Sequence, residues 1–561
     1  MTLSSSIDER VAEAIEHGEI FTRRWVVDLI LDLCGYTSDR DLADLRAVEP
    51  ACGAGAFLGP MVERLSASLR AHDRAIGDAA EALRAYDLLD HNVVAARRLA
   101  TTTLTQQGWD AEESARIAEK WVGQGDYLLR ERDVDLDLVV GNPPYIRLED
   151  VGEERSAEYR AACSTMSGRA DIYVGFIEVG LRSLKPGGVL GFIVADRWMR
   201  NAYGARLREF VAAGYAVDVT VQMHDVDAFE EQVAAYPAIS VLRRGEQRSP
   251  IAADTTRTFG EPAARQLVEW SRTADAEPLT TPALQVDRLP TWFSGSDLWP
   301  TGSPIALGMI EHLNANFRPL EDPETATRVS IGIATGADKV YVTKDPRVIE
   351  GPDAIEHERL LPLAMAADTN SGTMTWSGHY LVNPWDEEGL VELEAWPRFA
   401  SYMRSHGEAL LRRRVAGRNS DRWWRTIDRV TAGLIDRPKL LFPDMRMTSR
   451  PVYEPGGLYP HHNVYYVVSD GWDLRVLGGL LYSKIAEQTV SAYCVKMRGG
   501  TLRFQAQYLR RVRVPRPEQI DADTAAALAN AFDRRDSAAA TEAALRVYGL
   551  DERTADWLRS L

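Results

Sequence analysis

Apolar and polar residues alternate along the first half of the chain with two different periods. Short apolar runs, typical of buried strands, follow stretches in which apolar residues recur every three to four positions, as in amphipathic helices. In chain order the pattern predicts a helix in 20–36, a strand, glycine turn and helix in 45–69, a strand and helix in 82–100, a strand within 135–145, a helix, turn and strand in 171–199, and strands in 216–223 and 234–244. This βαβ alternation predicts an α/β fold with a largely parallel sheet covered by helices on both faces.

The pattern changes after Arg244. A polar segment follows, and a second body that ends near residue 517 is richer in Trp, Tyr, Pro and Arg and has shorter apolar runs. We interpret this body as α+β. The Ala-rich residues 518–561 have the apolar spacing of helices and are predicted to form a helical tail.

The charge of the chain is unevenly distributed. The 561 residues are 45% hydrophobic and 26% charged, with a formal net charge of −17. Taken alone, this charge argues against nucleic-acid binding, because phosphate contacts need Lys and Arg. However, residues 491–517 contain no Asp or Glu, and residues 410–429 are rich in Arg and include Trp423 and Trp424, which fit either base stacking or core packing. A basic surface on an acidic body is compatible with this distribution.

Three features indicate a cytoplasmic protein that does not enter a membrane. The N-terminal stretch is polar and acidic, unlike a signal peptide. No apolar run approaches the ~20 residues of a membrane helix. The four cysteines are scattered without a CxxC pair, as in a reduced protein.

Small residues follow the first predicted strand, at the edge where open α/β sheets bind ligands. The strand ends at Glu49, and Ala51 and Gly53 come directly after it. A ligand could approach the backbone there, although a tight turn packed on a helix gives the same pattern. The turn is neither GxGxxG nor a phosphate-binding loop with its lysine, so neither a dinucleotide nor ATP is favoured.

Acidic residues lie at the ends of the next strands. Asp87 ends the second strand, where a carboxylate commonly holds ribose hydroxyls, with Asp90 as the helix N-cap; the reverse assignment of the two also fits. Asp126 lies just before the following strand. It fits either an acceptor for the exocyclic amine of a bound adenine or a solvated turn residue.

The strand that precedes Asn142 ends in an unusual loop, Asn142-Pro143-Pro144-Tyr145. Two prolines fix the backbone and leave carbonyl oxygens free to accept hydrogen bonds. The Asn142 amide oxygen and a proline carbonyl can together hold an NH₂ group, while Tyr145 offers a flat face for stacking. The loop therefore predicts a preorganised holder for an amino group on a planar ring.

These residues resemble the motifs of a known family. The chain resembles the gamma-class, TaqI-like DNA adenine-N6 methyltransferases that use S-adenosylmethionine, and the resemblance rests on an ordered set of motifs. They are GEIFTRRWVVDLIL (motif X, with Phe21 and Thr22, and with Arg23 where proline is common), EPACGAGAF (motif I), Asp87 (motif II), Asp126 (motif III), NPPY (motif IV), DIYVGFIE (motif V, with Phe176), GGVLGFIVADRWM (motif VI) and DAFEEQVAAYPAISVL (motif VIII, with Phe229).

The resemblance implies a Rossmann-like methyltransferase domain in residues 1–245 that binds S-adenosylmethionine and needs no metal. Phe176 would pack on the cofactor adenine. The residues implied in cofactor binding are Phe21, Thr22, Glu49, Ala51, Gly53, Asp87, Asp126, Asn142 and Phe176. Asn142 and the Pro143 carbonyl would accept from the amino group of an adenine flipped out of double-stranded DNA, and Tyr145 and Phe229 would stack on its two faces.

The resemblance also implies a connecting segment in 246–330, a DNA target-recognition domain in 331–517 and the helical tail in 518–561. Basic residues of the recognition domain would contact phosphates. The candidates are Arg425, Arg498, Arg503, Arg510 and Arg511. The expected function is modification of host DNA against a separate cognate restriction enzyme.

Two other functions fit part of the sequence. An NPPY-type methyltransferase acting on RNA or on a protein glutamine would share the loop, but not the preceding motif or the large basic second half. A DNA-binding subunit without catalysis would not need workable residues at every catalytic position. His461-His462 lack a third metal ligand at a suitable sequence spacing, so no metal site is expected there.

Overall fold

The computed structural model describes residues 21–231, 236–413, 420–494 and 502–561. The chain forms two compact units, Met1–Gly308 and Met309–Leu561. No helix within the described ranges is both long enough and apolar enough to cross a bilayer.

A ten-stranded sheet lies at the centre of the described part of the first unit. Its strands are β1 (Ala47–Glu49), β2 (Leu83–Asp87), β3 (Val122–Gln124), β4 (Leu136–Gly141), β5 (Leu184–Ala195), β6 (Tyr215–Gln222), β7 (Pro237–Arg244), β8 (Ile251–Thr255), β9 (Leu279–Thr280) and β10 (Leu284–Arg288). Their order is β3-β2-β1-β4-β5-β7-β6-β8-β10-β9. Neighbouring strands from β3 to β5 are parallel, whereas β7 is antiparallel to both of its neighbours.

Helices cover both faces of this sheet. They are α1 (Arg24–Leu33), α2 (Leu58–Ala71), α3 (Asp90–Gln106), α4 (Ala111–Trp121), α5 (Glu153–Ala162), α6 (Tyr173–Ser183), α7 (Arg197–Arg200), α8 (Ala205–Gly214) and α9 (Glu261–Ser271). Successive residues of β4 enter different apolar cores, since Leu138 and Val140 pack with α1 to α4 and Val139 packs with α6. The predicted α/β fold class is therefore confirmed.

The segment 246–330, which the sequence assigns to a connection, contributes strands to the same sheet. Strand β8 runs parallel to β6, and β10 runs antiparallel to β8. The alternation of apolar and polar residues in these strands is short, which is why the sequence pattern does not reveal them.

The connection between β6 and β7 returns to the N-terminal segment that precedes α1. The Arg23 N–H donates to the Ala228 carbonyl at 3.0 Å, and the Glu230 N–H donates to the Phe21 carbonyl at 2.9 Å. Thr22 and Phe229 face each other as an isolated antiparallel bridge. Two segments more than 200 positions apart are thereby held side by side.

The second unit is α+β. Its strands are β11 (Arg318–Pro319), β12 (Arg328–Ile331), β13 (Val342–Thr343), β14 (Leu360–Ala364), β15 (Tyr380–Val382), β16 (Lys439–Pro443), β17 (Met445–Arg446), β18 (Val452–Glu454), β19 (Tyr459–Pro460), β20 (Val464–Val468), β21 (Leu502–Arg503) and β22 (Arg513–Val514). Across its described residues these strands form the sheets β12-β20-β16-β18, β13-β15-β14-β19, β11-β22 and β17-β21.

The remaining helices complete the chain. They are α10 (Pro304–Asn316), α11 (Asp338–Tyr341), α12 (Pro346–Ile349), α13 (Pro397–Ser405), α14 (Gly407–Leu411), α15 (Leu474–Tyr482), α16 (Lys484–Tyr493), α17 (Ala506–Leu509), α18 (Ala522–Asp533), α19 (Ser537–Tyr548) and α20 (Glu552–Ser560). The last three form the expected helical tail. Each of these begins with an aspartate, Asp521, Asp536 or Asp551, whose side chain accepts from a backbone N–H of the first turn.

Candidate active site

The carboxyl ends of β1, β2 and β4 open onto a cavity of about 390 Å³ in the first unit. Every residue that the sequence assigns to cofactor binding lines it. These residues are Phe21, Thr22, Glu49, Ala51, Gly53, Asp87, Asp126, Asn142 and Phe176. Segments from six places in the sequence converge here, and the carboxyl ends of neighbouring parallel strands share this edge of the sheet.

Asp87 fixes the wall formed by the glycine turn. Its Oδ2 accepts from the Gly53 N–H at 2.9 Å, and its Oδ1 accepts from the Leu89 N–H at 2.9 Å and from Asn92 Nδ2 at 3.1 Å. A Cβ added at Gly53 would meet no atom within 4 Å, so the turn leaves open space on this side. Helix α3 begins at Asp90 with Leu89 at its N-cap. Asp87 is therefore the strand-end carboxylate of the two.

Glu49 is a carboxyl group under electrostatic strain. The residue is 2% exposed, and its Oε2 has no hydrogen-bond partner among the described residues. Burial, followed by the negative charge of Asp87, raises the pKa of Glu49 well above its ordinary range, while the N–H groups of Leu58 and Phe57 oppose this shift. A hydrogen-bond donor or cation entering the cavity would stabilise this carboxylate.

Asp126 is bound by α5, which also lines the cavity. Its Oδ2 accepts from Arg155 Nη1 at 2.6 Å and from the Tyr159 hydroxyl at 2.8 Å, and its Oδ1 accepts from the Leu128 N–H at 3.0 Å. Burial raises the pKa of Tyr159 to about 12. The sequence analysis missed Arg155 and Tyr159. No sequence motif marks them, because α5 has the composition of an ordinary polar helix.

Phe176 forms an aromatic wall with Tyr127. The two rings are stacked with centroids 5.6 Å apart and planes inclined by 20°. Phe176 is 7% exposed, and both residues line the cavity. The wall is rigid because Phe176 belongs to α6, which packs on β5.

The NPPY loop follows β4 directly and joins the cavity to the N-terminal segment. Asn142 Nδ2 donates to Thr22 Oγ1 at 3.2 Å, and this hydrogen bond orients the amide. Pro143 is buried, and Pro144 lines the cavity. The Tyr145 hydroxyl donates to the Ile193 carbonyl at 3.2 Å, so neighbouring β5 holds the end of the loop.

Tyr145 and Phe229 are neighbours but do not form a parallel pair. Their ring centroids are 6.3 Å apart and their planes are inclined by 81°, an edge-to-face contact. A base held between two aromatic faces requires parallel rings about 7 Å apart, since stacked carbon atoms approach to about 3.5 Å. One ring must therefore turn before a base can lie between them.

The described arginines among those that the sequence assigns to DNA contact lie in the second unit and already have partners within the protein. Arg503 pairs with Asp444, Arg510 pairs with Glu321 and donates to the Val329 carbonyl at 2.7 Å, and the Arg425 guanidinium lies 5.7 Å from the Trp385 ring centroid. Arg511 is half-buried, and Arg498 lies outside the described residues. The stretch 491–517 lacks carboxylates in sequence, but Asp444 and Glu321 supply them in space.

The two tryptophans of the Arg-rich stretch pack in the core of the second unit. Trp423 and Trp424 are half-buried against its main apolar cluster, and Trp424 Nε1 donates to the Val391 carbonyl at 3.0 Å. Their packing accounts for the orientation of both rings without a bound base, although neither ring is fully buried.

The sheet order, the cavity at the strand ends and the loop after β4 define a class I methyltransferase fold. Among solved structures, the DNA-bound type IIL restriction-modification enzyme MmeI matches 96% of this chain and 76% of its own chain with a TM-score of 0.54 at 12% sequence identity. That likeness supports the fold.

Sequence comparison identifies the family. The chain is 40% identical over 546 residues to the type II methyltransferase M.PaeR7I of Pseudomonas aeruginosa, covering 96% of this chain and 93% of that protein. It is 38% identical over 548 residues to M.XhoI of Xanthomonas vasicola, covering 96% and 98%. Residues 79–229 match the Eco57I restriction-modification methylase family. The chain therefore belongs to the type II DNA methyltransferases of restriction-modification systems, which confirms the family resemblance.

The strained carboxyl group gives a prediction about stability and pH. The folded-state pKa of Glu49 lies above the unfolded value of about 4.3, so the folded state binds the proton more tightly and loses stability as pH rises. We expect Glu49→Gln to raise the Tm of the ligand-free protein at pH 8, with a smaller difference at pH 5. Thermal unfolding followed by circular dichroism measures both.

Glu178→Gln is a matched control with the opposite sign. Glu178 is also buried, at 1% exposure. Burial alone would raise its pKa, but hydrogen bonds from Thr165, Ser164 and Arg182 outweigh this and lower the pKa. Its substitution should lower the Tm by similar amounts at pH 8 and pH 5, because both lie above the unfolded pKa of about 4.3, and the loss should shrink only at lower pH. Equal pH dependence of the two variants would contradict the assignment of strain to Glu49.

Proposed function

We propose that this protein transfers a methyl group from S-adenosylmethionine to N6 of adenine at a specific site in duplex DNA and so protects host DNA from a cognate restriction enzyme. The observation that carries the proposal is the meeting of Asn142 with the carboxylates of β1 and β2 around one cavity. A holder for an amino group next to a cofactor-sized cavity is the arrangement that this transfer requires.

The cavity fits S-adenosylmethionine in size and in donor complementarity. Its volume of about 390 Å³ lies within the range of small-molecule sites, roughly 300–1,000 Å³. The Glu49 carboxylate suits the cofactor ammonium, Asp87 suits the ribose hydroxyls, and Gly53 leaves room for close approach of the backbone. When bound, the cofactor supplies an electrophilic methyl group.

The adenine end of the cofactor would lie against Phe176 and Asp126. Phe176 is supported from behind by Tyr127 and can present its other face to a purine. The Asp126 carboxylate accepts three hydrogen bonds within the protein, which leaves about one of its roughly four acceptor positions for the exocyclic amine. Arg155 and Tyr159 hold this carboxylate in place.

The NPPY loop would bind the target amino group. The Asn142 amide oxygen and the Pro143 carbonyl would accept its two hydrogens, which increases electron density on the nitrogen. The hydrogen bond from Asn142 Nδ2 to Thr22 Oγ1 leaves the amide oxygen as the acceptor for the amino group. The contribution of the protein is positioning and polarisation, and no residue needs to form a covalent bond with the substrate.

The target adenine would reach this loop by leaving the helix, because its amino group is otherwise inaccessible within the duplex. Tyr145 and Phe229 would then stack on its two faces. The edge-to-face contact between these rings would be replaced by ring–base contacts when the base enters. Because ring–base contacts would replace the ring–ring contact, little aromatic contact would be lost when the base flips into the site.

The direct test is long-read sequencing of plasmid DNA from a methylase-free host that expresses the chain. We expect N6-methyladenine at one recurring sequence, and none in DNA from cells that express Asn142→Ala. Methylation of cytosine would refute the adenine assignment. Unmodified DNA despite folded protein that binds S-adenosylmethionine would refute DNA as the substrate of the chain acting alone.

Asn142→Ala separates the chemical step from cofactor binding. Loss of one preorganised hydrogen-bond acceptor should lower kcat by about 10²–10³-fold, while the Kd for S-adenosylmethionine changes little. Single-turnover methylation and isothermal titration calorimetry measure the two quantities. A parallel loss of cofactor affinity and kcat would show that Asn142 serves the cavity rather than the amino group.

Phe229→Leu tests the stacking role. Leucine preserves much of the apolar volume but removes the aromatic face, and stacking on a base contributes about 1–3 kcal/mol. We expect a weaker fluorescence increase from 2-aminopurine placed at the target position, with the Tm nearly unchanged. Phe259→Leu is the control, since Phe259 is equally buried, at 4% exposure, and belongs to the same apolar core but packs on Trp25 rather than on Tyr145. Equal fluorescence from both variants would contradict the role of Phe229.

A further inference from the structure

Three potential metal-binding side chains meet in the second unit. His461 and His462 follow β19, and Asp338 begins α11. Asp338 Oδ2 lies 3.2 Å from His461 Nε2 and 3.9 Å from His462 Nδ1, and the two imidazole nitrogens are 3.1 Å apart. The histidine pair lacks a third ligand at a suitable sequence spacing, but the fold brings Asp338 to it from 123 positions upstream.

Hydrogen bonds around the cluster orient two of its members. His461 Nδ1 lies 2.8 Å from Asn463 Oδ1, and this contact orients the imidazole ring so that Nε2 lies toward Asp338. The other carboxylate oxygen of Asp338 accepts from the Thr335 hydroxyl. Partners of this kind typically surround metal ligands and fix their direction.

His461 Nε2 and Asp338 Oδ2 lie 3.2 Å apart, and an imidazole nitrogen and a carboxylate oxygen are both ligands of divalent transition metals. A cation bound by both atoms would replace their direct contact with two coordination bonds. Of these two side chains, that of His461 is buried, since the residue is 2% exposed.

The backbone holds the two segments tightly together. The Ile333 N–H donates to the Pro460 carbonyl at 2.9 Å, and the His462 N–H donates to the Ile333 carbonyl at 3.1 Å. A Cβ at Gly332 would lie only 2.2 Å from the Pro460 oxygen, so glycine is needed for this approach. The side chains of Asp338 and His462 remain 45% and 43% exposed, which leaves the cluster open to solvent.

We propose that Asp338, His461 and His462 bind one divalent transition-metal ion of the Zn²⁺ class, with water completing the coordination. Zn²⁺ takes imidazole nitrogens and carboxylate oxygens at about 2.0–2.2 Å, which places tetrahedral ligand atoms roughly 3.3 Å apart. Two of the three separations, 3.1 and 3.2 Å, lie close to this value, and the third is 3.9 Å. Two imidazoles favour such an ion over Mg²⁺ or Ca²⁺, which prefer oxygen ligands.

The ion would join the residues 332–338 to the turn at 460–463 and so stabilise this part of the second unit. It takes no part in the proposed methyl transfer. A metal-binding experiment therefore tests this proposal whether or not the proposed function is correct.

The test is metal binding by the untagged full chain after treatment with a chelator. Titration with Zn²⁺ against a chromophoric chelator should show one tightly bound equivalent, and Co²⁺ should give visible absorption bands of low-coordinate cobalt. Asp338→Asn and His462→Gln should each weaken Zn²⁺ binding at least tenfold. His357→Gln, an exposed histidine outside the cluster, should bind as the wild type does. Zn²⁺ should raise the Tm of the wild type and of His357→Gln, but not the Tm of Asp338→Asn or His462→Gln.

The proposal is overturned if the wild type takes up no more Zn²⁺ than His462→Gln, or if all variants bind it equally through scattered surface groups. Far-UV circular dichroism in chelator verifies that each variant is folded. Two variants are used because both altered side chains are nearly half exposed, and the loss of either ligand from a folded protein is sufficient for the comparison.

Discussion

The carboxylate of Asp87 is the contact on which the cavity depends most. It binds the glycine turn after β1 through Gly53 and the beginning of α3 through Leu89 and Asn92. Hydrogen bonds to an ionised group contribute roughly 1.5–3 kcal/mol each, so this one side chain holds two neighbouring strand ends in register. The walls of the cavity are consequently built by the same group that is placed to bind a ligand hydroxyl.

The charge of Asp87 also makes the ionised form of the neighbouring Glu49 unfavourable. Glu49 is buried beside Asp87, and the pKa of Glu49 is raised because both desolvation and the neighbouring charge disfavour its ionised form. A protein selected only for stability would place a neutral side chain there. The arrangement is favourable once a ligand supplies a positive charge or a hydrogen-bond donor, since binding to the folded state then restores the lost stability. Stability and ligand recognition are therefore opposed in the ligand-free cavity.

The sequence reveals the parts of the site that strand order brings together. Glu49, Asp87 and Asn142 could be assigned because each ends a strand or directly follows one, and parallel strands place such residues at one edge. Arg155 and Tyr159 could not, because their contact with Asp126 depends on how α5 folds back, 29 and 33 residues further along the chain. The contact of Asp338 with the histidine pair could not be predicted for the same reason. The local sequence of neither segment shows which turn it will approach.

The same limit applies to charge. Residues 491–517 contain no carboxylates in sequence, yet Arg503 and Arg510 pair with Asp444 and Glu321 from elsewhere in the unit. Their side chains remain 35% and 44% exposed, and pairs of this exposure contribute only about 0–1 kcal/mol. A phosphate could therefore replace a carboxylate at small cost, and the guanidinium would be oriented before the DNA arrives. Under the proposed role in DNA contact, such pairing would reduce the attraction of the free protein for arbitrary polyanions and would reconcile the net charge of −17 with phosphate contacts.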